Sequence, residues 1–150
     1  MSHEKSYAKI LAEKEGVVDT YVPFRNGLML SQAAAFAYSV GASFVVYGAH
    51  ADDAAGGAYP DCTPEFYNAM SEAIERGTAG KVFVQAPLIL LNKSQVVKWG
   101  LELGAPYKLT RSCYEEDSTS CGTCATCIDR QNAFLQNLVD DPIDYKEGLK

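Results

Sequence analysis

The stretch that decides the fold is Ser43-Phe-Val-Val-Tyr-Gly-Ala-His-Ala-Asp-Asp53. Its first five residues are mostly apolar, β-branched or aromatic, and they predict a short buried strand. His50, Asp52 and Asp53 follow in the loop after that strand. Because ligands of open α/β sheets bind beyond the carboxyl ends of the strands, these three side chains are candidates for binding Mg²⁺ or a phosphate-bearing ligand. The alternative is a solvated acidic loop, and the spacing alone favours that alternative.

The segments on either side of this strand indicate an α/β protein. The sequence predicts helices at residues 4–15, 26–40, 63–76, 92–103 and 129–139, a second strand within residues 82–90, and loops at residues 48–62 and 110–127. Strands and helices alternate, which favours parallel pairing. Only two strands are predicted, and a doubly wound sheet normally has more, so we expect a partial Rossmann-like sheet.

Composition and charge limit the classes of function. The chain has 150 residues, of which 47% are hydrophobic and 21% charged, as in ordinary globular proteins. It has neither the ~20-residue apolar run of a membrane helix nor an apolar signal core at the N-terminus, so we expect a cytoplasmic protein with no membrane contact. The net charge of −6 disfavours nucleic-acid binding, which depends on lysine and arginine neutralising phosphates.

Four of the five cysteines have the spacing of a metal site. They form the pattern Cys113-x7-Cys121-x2-Cys124-x2-Cys127. Four thiolates in one loop are typical of structural zinc, which takes four tetrahedral ligands and leaves no position open for substrate. An iron–sulfur cluster and a redox dithiol are the weaker alternatives. We therefore divide the chain into an α/β domain at residues 1–110 and a zinc subdomain at residues 111–150.

Four other positions carry weaker signals. Cys62 is either a buried filler or a site-lining thiol, whose pKa a following helix N-terminus would lower. Arg25 and Asn26 precede a helix, where they would meet a phosphate or a base edge, although an exposed arginine is the commoner role. Lys93 near a helix start opposes the helix dipole, which marks either a site or an ordinary surface lysine.

Taken in order, these motifs resemble the 7-cyano-7-deazaguanine synthase family of the PP-loop ATP pyrophosphatases. The resemblance covers nearly the whole chain from about residue 16 and is specific as an ordered set. The matching stretches are Val22-Pro-Phe-Arg-Asn26, Gly48-Ala-His-Ala-Asp-Asp-Ala-Ala-Gly56, Tyr59-Pro-Asp-Cys62, Pro64-Glu-Phe66, Ala86-Pro-Leu88, Lys93, Ser112-Cys-Tyr114, Cys121-Gly-x-Cys-x-x-Cys127, Arg130 and the tail from Asp141-Pro142 to Tyr145.

The resemblance implies an adenine nucleotide alpha hydrolase-like fold and an ATP-dependent carbon–nitrogen ligase of queuosine biosynthesis. Such an enzyme converts 7-carboxy-7-deazaguanine and ammonia to the nitrile with ATP, uses Mg²⁺ and structural zinc, and forms a homodimer. The resemblance assigns two groups of residues besides the cysteines. The catalytic group is His50, Asp52, Asp53 and Lys93, and the group lining the substrate or phosphate side is Arg25, Asn26, Tyr59, Asp61 and Cys62. Arg130 would serve the site or support the zinc loop.

One departure from the family bears on activity. The family opens with a Ser-Gly-Gly-x-Asp-Ser loop that holds the ATP phosphates, and no such segment occurs in these 150 residues. We therefore expect that the chain alone is an incomplete enzyme, which works with an ATP-loop half in the same protein or in a partner. The alternative function is a non-enzymatic, zinc-stapled module for binding or oligomerisation.

Overall fold

The computed structural model describes residues 16–115 and 118–146, so the helix expected at residues 4–15 lies outside the described residues. The helices are α1 (Arg25–Val40), α2 (Ala51–Ala54), α3 (Pro64–Gly77), α4 (Lys93–Glu102) and α5 (Ala125–Gln136), the strands are β1 (Phe44–Val46) and β2 (Phe83–Gln85), and short 3-10 turns lie at Ala55–Gly57, Pro60–Cys62 and Tyr107–Leu109. This order confirms the α/β class. Within the described parts of the chain, no helix combines the length and the apolar character needed to cross a membrane.

The chain forms two compact units, which divide between Leu91 and Asn92. The first contains the described residues up to Leu91, and the second contains those from Asn92 onward. Our division at residue 110 separates the zinc loop by its chemistry and remains a prediction.

In the first unit, β1 and β2 pair in parallel, with Phe44 opposite Phe83. The helix α3 connects the two strands, as expected for a parallel pair, which needs a crossover. Thr63 caps α3 by accepting a hydrogen bond from the Phe66 backbone N–H at 3.1 Å, and Pro64 occupies the first turn, where its missing N–H costs nothing.

One face of this sheet carries the core of the unit. The buried side chains of the core are Leu30, Ala34, Ala37, Ile74, Val82 and Val84. Those of α1 recur at intervals of three and four residues, so they form one stripe along the helix. Gly41 ends α1 in the left-handed conformation at φ 73°, which glycine adopts without strain.

The opposite face of the sheet is open. Phe44 and Val46 of β1 are 56% and 59% exposed, and Phe83 beside them on β2 is 37% exposed. Side chains alternate across a strand, so these three share a face while Val45 and Val84 point to the core. Parallel sheets normally have both faces covered. An apolar surface of this kind is typical of a face that contacts another part of a larger assembly.

The second unit is built on α4 and α5. Val97, Ala133 and Phe134 form its buried core, with Tyr107 packed against them. The Tyr107 ring meets the Phe134 ring edge to face at 5.1 Å between centroids. The Tyr107 hydroxyl lies where a Cβ at Gly100 of α4 would otherwise be.

Two predicted segments differ from the structure. The predicted loop at residues 48–62 contains α2 and two 3-10 turns. The backbone leaves the helical conformation at Ala55, where ψ is 136°, and Gly56 and Gly57 follow at positive φ. The last helix begins at Ala125 rather than Asp129, with Cys124 as an extended N-cap residue. It ends at Gln136 rather than Val139, and Leu138 adopts a left-handed φ of 57° just beyond it.

Candidate metal centre and ligand-binding cluster

The structure brings all four predicted metal-ligating cysteines together in the second unit. The sulfurs of Cys113, Cys121, Cys124 and Cys127 all lie within 4.8 Å of one another. Tetrahedral zinc with Zn–S bonds of about 2.3 Å places its sulfurs about 3.8 Å apart. The Cys121 and Cys127 sulfurs are 4.0 Å apart, so the group matches the size of a four-thiolate site. It is the only such group of three or more cysteine, histidine or carboxylate side chains within residues 16–115 and 118–146.

Backbone amides are directed at the cysteine sulfurs. Cys113 Sγ accepts hydrogen bonds from the backbone N–H groups of Glu115 and Cys121, each at 3.4 Å. Cys121 Sγ accepts one from the backbone N–H of Cys124 at 3.3 Å. This hydrogen bond from the Cys124 N–H to the Cys121 sulfur spans the two-residue gap between the two cysteines. Such bonds stabilise sulfur as the thiolate, the form that binds metal.

The pKa values of two of the thiols diverge. Burial by itself raises the pKa of Cys121, but the backbone N–H groups of Cys124 and Thr123 bring it down to about 6. Burial raises the pKa of Cys127, and the neighbouring sulfurs of Cys124 and Cys113 raise it further. Cys121 therefore loses its proton before Cys127 does, as expected for interacting groups. A bound cation would allow all four sulfurs to ionise together.

Arg130 of α5 is a buried charge beside the cysteines. It lies three residues after Cys127 and is only 5% exposed. Its guanidinium donates to both carboxylate oxygens of Asp141, from Nε at 2.6 Å and from Nη2 at 2.9 Å. It also donates to Thr110 Oγ1 at 2.7 Å and to the Tyr107 carbonyl at 3.2 Å. The charge is thus paired and hydrogen-bonded, as a buried arginine requires.

The C-terminal tail returns to the cysteine loop through the same carboxylate. The Tyr145 hydroxyl donates to Asp141 Oδ2 at 2.6 Å, and Tyr145 forms a parallel bridge with Ser120. The Lys146 backbone N–H donates to the Ser120 carbonyl at 3.0 Å. A Cβ at Gly122 would lie 3.4 Å from the Tyr145 ring, so the ring packs against this glycine. Although burial alone would raise the pKa of the Asp141 carboxyl, the hydrogen bonds from Arg130 and Tyr145 hold that pKa below its ordinary value.

A second polar cluster lies in the first unit. Asp61 Oδ2 accepts the Asn26 backbone N–H at 2.9 Å, near the start of α1. The Asn26 side-chain amide donates to the Asp61 carbonyl at 3.1 Å and to Cys62 Sγ at 3.3 Å. Asp61 and Cys62 are 3% and 6% exposed. Three residues predicted to line one site are therefore in direct contact.

The Cys62 thiol differs from the prediction that a helix N-terminus lowers its pKa. Burial raises the pKa of Cys62 to about 11, and the carboxylates of Asp53 and Asp61 act in the same direction. The hydrogen bond from Asn26 opposes this shift only in part. Cys62 is consequently a protonated thiol at neutral pH, suited to packing or to donating a hydrogen bond rather than to nucleophilic attack.

The residues that follow β1 form part of the same neighbourhood. His50 Nε2 lies 3.3 Å from Asp53 Oδ2, and the Asp53 carbonyl accepts the Tyr59 backbone N–H at 3.1 Å. Asp52 is exposed on α2. His50, Asp52 and Asp53 do not converge as a ready-made metal group. Mg²⁺ is commonly held by one or two carboxylates together with substrate phosphates, and carboxylates on this helix suit that mode of binding.

Two buried polar atoms near this cluster have no hydrogen-bond partner among the described residues. They are the Tyr47 hydroxyl and Nδ1 of His50. Burial raises the pKa of Tyr47 to about 12, with Cys62, Tyr67 and Asp61 adding to the effect, so the hydroxyl lies near the Asp61–Cys62 pair. Buried polar atoms are nearly always paired, and an unpaired one marks a place for water or ligand. In the sequence, Tyr47 is only the last residue of a predicted strand, and no local signal marks it as a candidate functional residue.

The remaining predicted residues lie in two places. Arg25 is the exposed first residue of α1, next to Asn26. Tyr59 precedes the Pro60–Cys62 turn, and its hydroxyl hydrogen-bonds with that of Thr20. Lys93 is the first residue of α4 and belongs to the second unit.

A family model and individual relatives agree on the family to which the chain is similar. Residues 1–138 match the family described as queuosine biosynthesis protein QueC. The 7-cyano-7-deazaguanine synthase of Koribacter versatilis is 49% identical over 131 residues, which are 87% of this chain and 54% of the relative. The enzymes of the same name from Methanospirillum hungatei and Rickettsia canadensis are 44% and 46% identical, over 88% and 84% of this chain and 60% and 58% of their own lengths. The chain thus spans little more than half the length of the relatives it matches.

Proposed function

Because the chain belongs to the queuosine biosynthesis protein QueC family, we propose that it forms part of an ATP-dependent carbon–nitrogen ligase with an adenine nucleotide alpha hydrolase-like fold. The substrates are 7-carboxy-7-deazaguanine, ammonia and ATP, and the product is 7-cyano-7-deazaguanine. These 150 residues contain no Ser-Gly-Gly-x-Asp-Ser loop. Turnover is therefore a property of these residues together with the segment that supplies the loop, in the same protein or in a partner.

The chemistry assigns separate tasks to the residues of the first unit. ATP activates the substrate carboxylate, and ammonia displaces the activating group to give an amide. A second ATP activates the amide oxygen, which leaves with the activating group while the nitrogen loses its two protons and the nitrile forms. Asp52 and Asp53 would hold Mg²⁺ against the ATP phosphates. His50, whose Nε2 lies 3.3 Å from Asp53 Oδ2, would orient that carboxylate. Arg25 would stabilise phosphate charge that develops during transfer. Lys93, which belongs to the second unit, stays a catalytic residue that only the family resemblance assigns.

The observation that carries this proposal is the contact of Asn26, Asp61 and Cys62 beside the Tyr47 hydroxyl, which has no hydrogen-bond partner in the part of the chain that the structure describes. A deazaguanine base presents donors and acceptors along one edge, and a buried site recognises such an edge through polar groups that it leaves unpaired until the ligand arrives. We assign binding of the base to this cluster, with Tyr59 at its margin.

Binding of 7-carboxy-7-deazaguanine by Tyr47→Phe protein tests this assignment. Loss of one hydrogen bond of about 1 kcal/mol predicts roughly fivefold weaker binding by calorimetry. Tyr38→Phe is the matched control, because Tyr38 is 49% exposed. Unchanged affinity of Tyr47→Phe would remove Tyr47 from the site. For activity, we expect the chain to produce the nitrile from the three substrates when a segment with the ATP loop is added. Without that segment we expect no nitrile.

The four cysteines, we propose, hold one structural Zn²⁺ per chain. The matching sulfur distances and the N–H bonds to sulfur support this metal and a closed, non-catalytic site. Elemental analysis of protein purified without added metal should give close to one equivalent of zinc. Cys121→Ser protein should lose most of that zinc and melt at a lower temperature. Full zinc content in this variant would contradict the assignment.

We also propose that the chain assembles as a homodimer, as the family resemblance implies. The open sheet face, formed by Phe44, Val46 and Phe83, supports burial of this surface in an assembly. Sedimentation of wild-type protein and Phe44→Ser protein measures this directly. We expect a dimer that the substitution weakens, and a wild-type monomer at high micromolar concentration would be inconsistent with it. A dimer that binds zinc but neither base nor ATP would favour the alternative function, a non-enzymatic oligomerisation module.

A further inference from the structure

We infer that Arg130, Asp141 and Tyr145 are positioning residues for the metal site, and that they make metal retention depend on the C-terminal tail. This inference rests on the proposed zinc function of the four cysteines. None of the three residues belongs to the ligand group. We call the three residues the clasp.

Arg130 joins the segments that carry different ligands. Its own helix carries Cys127. Its bonds to Thr110 Oγ1 at 2.7 Å and to the Tyr107 carbonyl hold the segment that leads into Cys113. Its two bonds to Asp141 fix the tail. Arg130 uses three of its nitrogens in this way, so no single segment can shift without breaking a charge-assisted hydrogen bond.

The tail then completes the clasp over the third ligand segment. Tyr145 bridges Ser120, which directly precedes Cys121, and its ring packs on Gly122, which directly follows Cys121. The Tyr145 hydroxyl donates to the same Asp141 carboxylate that binds Arg130. A continuous path of contacts therefore runs from the helix of Cys127 to the loop of Cys121 without passing through a metal.

Such a path lowers the cost of gathering four ligands that repel one another as thiolates. Where the ligand segments are held in advance, the metal does not have to order them on binding, and it leaves more slowly. Groups outside the ligand set commonly change metal affinity by about 10- to 100-fold when they are removed. The clasp would act in the same direction, although it orients the backbone segments that carry the ligands rather than the ligand side chains themselves.

The test is zinc transfer from the full chain to a chromogenic chelator, measured for wild type, Asp141→Asn and Tyr145→Phe. We expect Asp141→Asn to release zinc at least 10-fold faster, because the neutral amide cannot accept all the bonds of the carboxylate. Tyr145→Phe keeps the ring over Gly122 and loses only one bond to Asp141, so a smaller acceleration is expected. Asp140→Asn is the matched control, since it removes the same charge one residue away at an exposed position.

Cobalt substitution separates positioning from general stability. With Co²⁺ in place of zinc, we expect all variants to show four-thiolate absorption bands, and Asp141→Asn to require more Co²⁺ to reach them. Release rates and Co²⁺ titrations of both clasp variants that match those of wild type would overturn the inference. If Asp141→Asn fails to fold, Tyr145→Phe decides the question alone by the same two measurements. Wild-type protein that binds neither metal would instead refute the zinc proposal, a distinguishable outcome.

Discussion

Phe134 offers a sharp test of the core of the second unit. It is 1% exposed and contacts the Tyr107 ring at 5.1 Å and the Arg130 guanidinium at 5.4 Å. Phe→Ala in a core costs about 3–5 kcal/mol through lost transfer free energy and the cavity left behind. We expect about 4 kcal/mol for Phe134→Ala, since an edge-to-face pair and a cation–π contact are lost with the ring. The next residue, Leu135, is 70% exposed, so Leu135→Ala should change stability by no more than about 0.5 kcal/mol.

Urea denaturation followed by far-ultraviolet circular dichroism measures both variants. Added zinc must be equal in all samples and saturating for the proposed site, because a ligand of the folded state adds to apparent stability. The denaturation midpoint of Phe134→Ala should fall with little change in the slope, and its melting temperature should fall by about 8–16 °C, at roughly 2–4 °C per kcal/mol for a chain of this length. Equal losses in the two variants, or a loss below about 1 kcal/mol for Phe134→Ala, would refute this account of the core.

Three further predictions concern Thr63, Cys62 and the four cysteines. Thr63→Ala removes the cap that accepts from Phe66 and should destabilise the first unit by about 1 kcal/mol, whereas Thr63→Ser should restore most of it in the same denaturation assay. Cys62 should be alkylated roughly 100-fold more slowly at pH 8 than an ordinary thiol and should accelerate toward pH 11, since its pKa is raised from 9.0 to about 11. The unfolded chain ionises this thiol at lower pH than the folded chain, so the free energy of unfolding should also fall as pH rises from 9 to 11. If the difference in free energy of unfolding between wild type and Cys62→Ala stays constant over that range, the raised pKa is contradicted. A strong chelator should unfold the region around the four cysteines and expose its amides to hydrogen exchange, and unchanged protection after complete metal removal would exclude that coupling.

Local signals predicted the fold well where they act within a few residues. The helices predicted at residues 63–76 and 92–103 start where expected, at the N-caps Thr63 and Asn92. Asn92 and Gln95 form a capping box, in which the side chain of each accepts the backbone N–H of the other. The strand signals of residues 43–47 and 82–90 each contain an observed strand. The start of α5 was misplaced because Cys124 and Cys127 indicated a loop, whereas Cys127 lies on the helix. A metal-site spacing and a helix start use the same residues here, and the spacing conceals the helix.

The candidate sites also differ in how far the sequence predicts them. The four-cysteine group was predicted completely, because spacing alone brings its members together. The contact of Asn26 with Asp61 and Cys62 links residues 35 and 36 positions apart in the sequence and followed only from the family resemblance. The clasp joins positions from three segments, and neither periodicity nor composition encodes such a contact. The Tyr47 hydroxyl became a candidate only because it is buried near Asp61 and Cys62, and no local sequence pattern specifies that environment.

The position of the Tyr107 ring restricts which substitutions can be made at Gly100. Glycine inside a helix is a common target for stabilisation, because alanine is better by about 1 kcal/mol. Gly100 of α4 is such a glycine, yet its missing side chain is the space that the Tyr107 hydroxyl occupies while it donates to the carbonyls of Val96 and Val97. Replacing Gly100 alone would expel the ring from the contact that also positions the carbonyl bound by Arg130. Positions 100 and 107 therefore form a single design unit, and a library that varies one while fixing the other would recover only the original pair.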